Sequence, residues 1–214
     1  MIKNIIFDMD GLLVDTEIVS LKMYQQLTRR YNQELTTDQY AENFSGKPAV
    51  VNMNLLIQMF NLPITTQEGL DFVDVIEKDL IAKGVNLKPG ATELLTYLKS
   101  NNYQIALATS SHKSRAVEIL KQNNIYDYFD AETYGPEIKH GKPSPDIFLT
   151  SLDKLNAKNV ESLVLEDSEA GITAATNAEI KVICVRDMCT PRPEYAEKAF
   201  KILPDLGQVI TVLQ

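Results

Sequence analysis

The chain is short of the residues that would staple it covalently. It has only two cysteines, Cys184 and Cys189. They are close in sequence and match no zinc spacing, so they read as two reduced thiols. Basic residues are in deficit: 21 Lys and Arg against 29 Asp and Glu give a net charge of -8. That balance argues against a nucleic-acid partner, which calls for Lys and Arg clustered on one face. No apolar run approaches the ~20 residues of a membrane span, so no membrane partner is expected. The N-terminus runs directly into a strand-like segment, without the basic and apolar regions of a signal peptide. The expected location is the cytoplasm, and the expected state is a monomer. No internal repeat or low-complexity segment is visible.

What the sequence does have is material for a core. The chain has 214 residues, 44% of them apolar and 23% charged. That is enough for one large core, or for a core domain carrying a smaller insert, without disulfides or structural metal.

Four short apolar runs each lead into polar residues. Asn4-Ile5-Ile6-Phe7 leads into Asp8, and Tyr103 to Ala108 into Thr109-Ser110-Ser111. Ser162-Leu163-Val164-Leu165 leads into Glu166-Asp167, and Lys181 to Val185 into Arg186-Asp187. Such runs read as buried parallel strands. Helical patterns separate them: one after Pro89-Gly90, one from His112, and one with Ser144 as N-cap and Pro145 in first position. A fourth, the small-residue stretch Ala170 to Ala175, suits close packing on a sheet. Strands alternating with helices imply an α/β fold with a doubly wound, Rossmann-like parallel sheet.

Residues 16–83 break this rhythm. Leu21, Tyr24, Leu27 and Tyr31 fall at helical spacing, as do Leu55, Leu56, Met59 and Phe60, and Phe72, Val75, Ile76 and Leu80. The expectation is a helical insert over 16–83 within an α/β core of 1–15 and 84–214.

In a doubly wound sheet, polar groups at the carboxyl ends of the strands converge on one crevice. Here those ends carry Asp8, Asp10, Thr109, Glu166 and Asp167. Each has a bland reading alone. Two aspartates after an apolar run can be a turn, and Thr109 to Ser111 can cap a helix. Lys142 can be a solvated loop lysine, and Glu166-Asp167 a helix N-terminal charge pair. Their convergence favours chemistry. A carboxylate at Asp8 can attack phosphorus and divide one hard step into two. Asp10 can protonate the leaving oxygen and later activate water, and Gly11 permits the bend that brings both to one place. Four carboxylates and a phosphate need compensation: one like-charge pair at ~4 Å costs about 4 kcal/mol at an effective dielectric near 20. A hard dication such as Mg²⁺ supplies it, with Lys142 as a further positive charge. Thr109 and the amides of Ser110 and Ser111 offer donors to phosphoryl oxygens.

The run Asp8-Met9-Asp10-Gly11-Leu12-Leu13-Val14-Asp15-Thr16-Glu17 resembles the first motif of the haloacid dehalogenase superfamily. Thr109, Lys142 in Gly141-Lys142-Pro143, and Glu166-Asp167 resemble its later motifs, in order. Among its subgroups the sequence looks most like the one containing β-phosphoglucomutase and small sugar-phosphate phosphatases. The resemblance implies that residues 16–83 are a cap that closes over the site. It implies catalytic roles for Asp8, Asp10, Thr109 and Lys142, and phosphate contacts from Thr109, Ser110 and Lys142. It implies a metal site of Asp8, Asp10, Glu166 and Asp167, with Glu166 either a ligand or a group holding one. Gly46 and Lys47 fall in a cap loop that selects substrate, with a solvated lysine the alternative at Lys47; His112 reads as capping or decorating the start of its helix, with assistance to the site the alternative. Mutase members carry an arginine in that loop, where this chain reads Ser45 to Val50 without one, and a histidine where it has Ser20. The expected function is therefore Mg²⁺-dependent hydrolysis of a small sugar or polyol phosphate. A phosphosugar mutase, and a phosphate- or protein-binding module without turnover, remain the alternatives.

Overall fold

A computed structural model describes residues 1–214. Six parallel strands form one sheet: β1 Asn4–Phe7, β2 Gln104–Thr109, β3 Ala131–Tyr134, β4 Ser162–Glu166, β5 Lys181–Val185 and β6 Lys201–Leu203. Their order across the sheet is β3-β2-β1-β4-β5-β6. The order reverses at β1, so a crevice opens beyond the carboxyl ends of β1, β2 and β4. Ten helices accompany the sheet. They are α1 Thr16–Arg29, α2 Thr37–Asn43, α3 Ala49–Phe60, α4 Thr66–Ala82, α5 Ala91–Ser100, α6 Lys113–Gln122, α7 Asp146–Leu155, α8 Glu169–Asn177, α9 Pro193–Ala196 and α10 Val209–Leu213.

By internal packing the chain forms two compact units, one of Met1–Val14 with Asn86–Gln214 and one of Asp15–Val85. The first holds the sheet. Register places Ala131, Ala106, Ile6, Val164 and Val182 in one row across five strands. That row is buried together with Ile147, Phe148 and Leu152 of α7 and Ile172, Ala174 and Ala175 of α8. Side chains alternate along a strand, so Ile5, Phe7, Ile105, Leu107 and Leu165 face the opposite way, and all are fully buried. Burial on both faces explains why these strands read as continuous apolar runs.

Two strands were not legible as apolar runs. β3 carries Glu132 and Thr133, and β6 is a three-residue edge strand that is mostly exposed. At α7 the first helical residue is Asp146, with Pro145 as N-cap, one residue later than expected. Ser144 Oγ instead donates to Asp146 Oδ1 at 2.5 Å.

The second unit comprises α1 to α4. Thr36 with Gln39 and Thr65 with Glu68 form capping boxes that start α2 and α4. Tyr24, Tyr40 and Phe44 form an aromatic cluster with centroids 5.9–6.1 Å apart. Within α1, Leu21, Tyr24 and Leu27 are buried as their spacing predicts, while Tyr31 lies beyond its end. The inward stripes of α3 and α4 differ from expectation. They are Asn52, Met53 and Leu56 on α3, and Gly69, Val73 and Ile81 on α4. Met59 and Val75 are exposed. These helices carry more apolar residues than one face can bury, so spacing alone leaves the phase open. Phe72, assigned to the stripe, is instead covered by the Arg30 guanidinium, 5.2 Å from its ring centroid.

Candidate active site

The chain leaves β1 at Phe7, and the Asp8 amide still donates to the Leu165 carbonyl at 3.0 Å. A tight turn follows. Leu13 and Val14 amides donate to the Met9 carbonyl at 2.9 and 3.2 Å, and the Gly11 amide to the Val14 carbonyl at 3.0 Å. Gly11 adopts φ +80°, and a Cβ there would fall 2.4 Å from Asp167 Oδ2. The turn therefore needs glycine both for its backbone angle and for room beside a carboxylate.

Lys142 enters from the loop before α7. Its Nζ donates to Asp8 Oδ1, to Glu166 Oε1 at 2.6 Å and to the Ala108 carbonyl at 3.4 Å. The same ammonium lies 5.2 Å from the Phe148 ring centroid. It thus binds the ends of β1 and β4 and the loop after β3 together. Burial opposes its charge, but Asp8 and Glu166 outweigh that and raise its pKa, so it stays an ammonium. For Asp8, burial dominates. Together with the carboxylates of Glu166 and Asp10, it pushes the carboxyl up to about 7, against the pull of Lys142.

Glu166 and Asp167 are neighbours in sequence but not alike in setting. Glu166 is 1% exposed. Its Oε2 accepts from the Asp167 and Ser168 amides at 2.9 Å each and from Ser168 Oγ at 3.0 Å. With Oε1 on Lys142, both its oxygens are occupied. The ligand oxygens of Asp8, Glu166 and Asp167 all lie within 4.8 Å of one another. An all-oxygen carboxylate set of this kind fits a hard dication such as Mg²⁺.

Asp10 is 31% exposed at its side chain. Its Oδ2 accepts from Ser111 Oγ at 2.8 Å and Thr109 Oγ1 at 3.3 Å. Its Oδ1 accepts from Arg115 Nη1 at 2.7 Å. The Ser111 amide donates to Thr109 Oγ1 at 3.1 Å, so it braces that hydroxyl. The sequence reading did not single out Arg115. Its signal is faint: it lies four residues after Ser111 at the start of α6, beside the end of β2. His112 is the N-cap residue of α6, and its side chain makes no capping bond. Ser110 is exposed at the end of β2.

Structure thus brings Asp8, Asp10, Thr109, Lys142, Glu166 and Asp167 together within the sheet unit. Gly46 and Lys47 belong to the helical unit. There Gly46 has φ +71°, and Lys47 Nζ donates to the Asn43 carbonyl at 2.6 Å. That unit holds a cavity of about 300 Å³. Its lining includes Glu17, Ser20, Tyr24, Lys47, Asn52 and Glu77. Asn52 Nδ2 donates to the carbonyls of Phe44 and Lys47 at 2.8 and 3.2 Å, which ties the loop to α3. No helix of the chain is long and apolar enough to cross a membrane.

Residues 5–185 match the model of the haloacid dehalogenase-like hydrolase family. A phosphorylated carbohydrates phosphatase of Thermotoga maritima is 32% identical over 179 residues, 84% of this chain and 82% of that one. A (DL)-glycerol-3-phosphatase of Arabidopsis thaliana is 29% identical over 87% of this chain and 80% of its own. Among solved structures, a β-phosphoglucomutase of Clostridium difficile superposes with a TM-score of 0.77 at 25% identity, covering 98% of this chain and 93% of that one. The chain belongs to the haloacid dehalogenase-like hydrolase family, and within it to the phosphoric-monoester hydrolases.

Proposed function

We propose that this chain is a Mg²⁺-dependent phosphatase of a small sugar or polyol phosphate, working through an aspartyl-phosphate on Asp8. The observation that carries the reading is the contact of Lys142 with both Asp8 and Glu166 at the reversal point of the sheet. A buried ammonium beside a buried carboxylate is what an anionic phosphoryl group needs on arrival.

Asp8 attacks phosphorus, and the bond to the leaving oxygen breaks as the bond to Asp8 forms. Lys142 and the Thr109 hydroxyl hold the phosphoryl oxygens, joined by the Ser110 amide. Asp10 gives a proton to the leaving oxygen and then takes one from water, which releases phosphate from Asp8. Asp8, Asp167 and the carbonyl of Asp10 would hold Mg²⁺, which when bound neutralises the crowded oxygens and keeps Asp8 ionised. Glu166, with both oxygens engaged, anchors Lys142 and the start of α8 rather than reaching for the metal. The helical unit acts as a cap that shields the phosphoryl-enzyme from stray water.

The loop segment Ser45 to Val50 lacks the arginine with which mutase members hold a second phosphate, which speaks for hydrolysis over mutase chemistry. The phosphatases of carbohydrates and of glycerol-3-phosphate among the relatives agree with this.

The test is a panel of phosphorylated sugars, polyols, carboxylates and bisphosphates with Mg²⁺, comparing the native chain with Asp8→Asn. Release of phosphate from neutral polyol esters, with acid-trappable phosphoryl-enzyme lost in Asp8→Asn, is the expected result. Net interconversion of sugar 1- and 6-phosphates with a bisphosphate primer would establish a mutase instead. No turnover of any ester would leave a binding module.

A further inference from the structure

The Asp10 carboxylate is gripped from two sides by residues of the sheet unit. Arg115 Nη1 donates to Oδ1 at 2.7 Å, and Ser111 Oγ to Oδ2 at 2.8 Å. The same Nη1 reaches Ser111 Oγ at 2.7 Å, so the three groups close a ring. Arg115 is the third residue of α6, four residues after Ser111, and the end of β2 at Thr109 fixes where α6 begins. The guanidinium therefore reaches Asp10 from a rigid element. Its side chain is 20% exposed and that of Asp10 is 31% exposed. Both side chains are partly open to solvent, which limits what their ion pair adds to stability.

We propose that Arg115 is a positioning residue that sets Asp10 for the water-dependent half of the reaction. The inference rests on the phosphatase reading above. In that half, a water oxygen bonds to phosphorus while the bond from phosphorus to the Asp8 oxygen breaks. The electron pair returns to Asp8, and the water proton passes to Asp10. Arginine is always charged, and it pairs with the carboxylate, the form of Asp10 that accepts this proton. The first half makes less demand on the pair when the leaving group is stable as an anion. At the site Arg115 bonds Asp10 and Ser111. Its loss should therefore act on breakdown of the phosphoryl-enzyme rather than on its formation.

The experiment is stopped-flow hydrolysis of p-nitrophenyl phosphate with Mg²⁺ by the native chain, Arg115→Met and Arg115→Lys. Nitrophenolate leaves without needing a proton, so its release reports formation of the phosphoryl-enzyme. In Arg115→Met we expect a burst of about one equivalent at a near-native rate. Steady turnover after the burst should be ~10- to 100-fold slower, the scale of a misplaced catalytic group. Acid-quenched phosphoryl-enzyme should accumulate, and the melting temperature should hardly move. Arg115→Lys keeps the charge but not the planar fork, so it should recover part of the turnover. Equal loss of burst and steady rates, or unchanged turnover in Arg115→Met, would overturn the role. A native chain that hydrolyses no ester rejects the phosphatase reading, and this role with it.

Discussion

A Cβ added to Gly171 would lie 1.8 Å from the Glu166 carboxylate. The first turn of α8 thus passes so close to the end of β4 that only glycine fits. Glu166 uses that space to reach Lys142 on one side and the Asp167 and Ser168 amides on the other. Gly171→Ala should displace this carboxylate and cost about 1–3 kcal/mol of stability, the range for overpacking a tight interior. Because Lys142 loses its anchor, turnover should fall in protein that remains folded. Denaturant unfolding alongside steady-state kinetics measures both, and an unchanged midpoint contradicts the packing argument.

Asp8 links the site to stability through pH. Its carboxyl is raised from the ordinary 3.8 to about 7, with burial the largest cause. Between those values the folded chain holds more protons than the unfolded one. This group's contribution is present at acid pH and is lost as pH rises through about 7. With metal chelated, the native chain should therefore lose stability relative to Asp8→Asn between about pH 4 and about pH 7. Mg²⁺ at the upper end should restore it in the native chain and do much less for Asp8→Asn, since a ligand that binds only the folded state stabilises it. Melting curves of both proteins across that range supply the comparison.

Lys47 should tune substrate choice without touching the chemistry. It is exposed, and its Nζ donates to the Asn43 carbonyl at the rim of the helical unit's cavity. Lys47→Ala should change the ranking of polyol phosphates by about 1–3 kcal/mol in transition-state binding, the range of one specificity contact. Its rate on p-nitrophenyl phosphate should stay close to native. A loss of several thousandfold on every ester would move Lys47 into the catalytic set.

The two thiols should differ in reactivity. Cys184 is fully buried at the end of β5, and burial pushes its thiol up to about 12, with Asp167 and Glu166 adding to the effect. Cys189 is half-buried, and no disulfide joins the pair. An alkylating reagent near pH 8 should label Cys189 and spare Cys184 until the chain unfolds, because the thiolate is the reactive form. Peptide mapping by mass spectrometry after timed labelling gives the order. Early labelling of Cys184 would mean that β5 opens readily.

What the sequence alone determined is the local chemistry. Ile5-Ile6-Phe7 and Leu163-Val164-Leu165 are apolar throughout because both faces of a parallel sheet are covered, so strand and reactive end were legible together. Gly11 after two spaced aspartates announced a turn, because few other residues tolerate its φ. Only the tertiary structure decided the rest. The strands Ala131–Tyr134 and Lys201–Leu203 depend on neighbours for their pairing, and their own residues carry too little apolar pattern to reveal it. The phase of α4, with Val73 inward and Val75 outward, depends on which helices press against it. Glu166 and Asp167 are one acidic pair in sequence. They differ in setting because Glu166 is the last residue of β4, buried beside Lys142, while Asp167 lies beyond the strand and is only partly buried. Arg115 meets Asp10 across a gap of 105 residues. No periodicity encodes that meeting: it exists because β1 and β2 lie side by side, with Phe7 opposite Leu107.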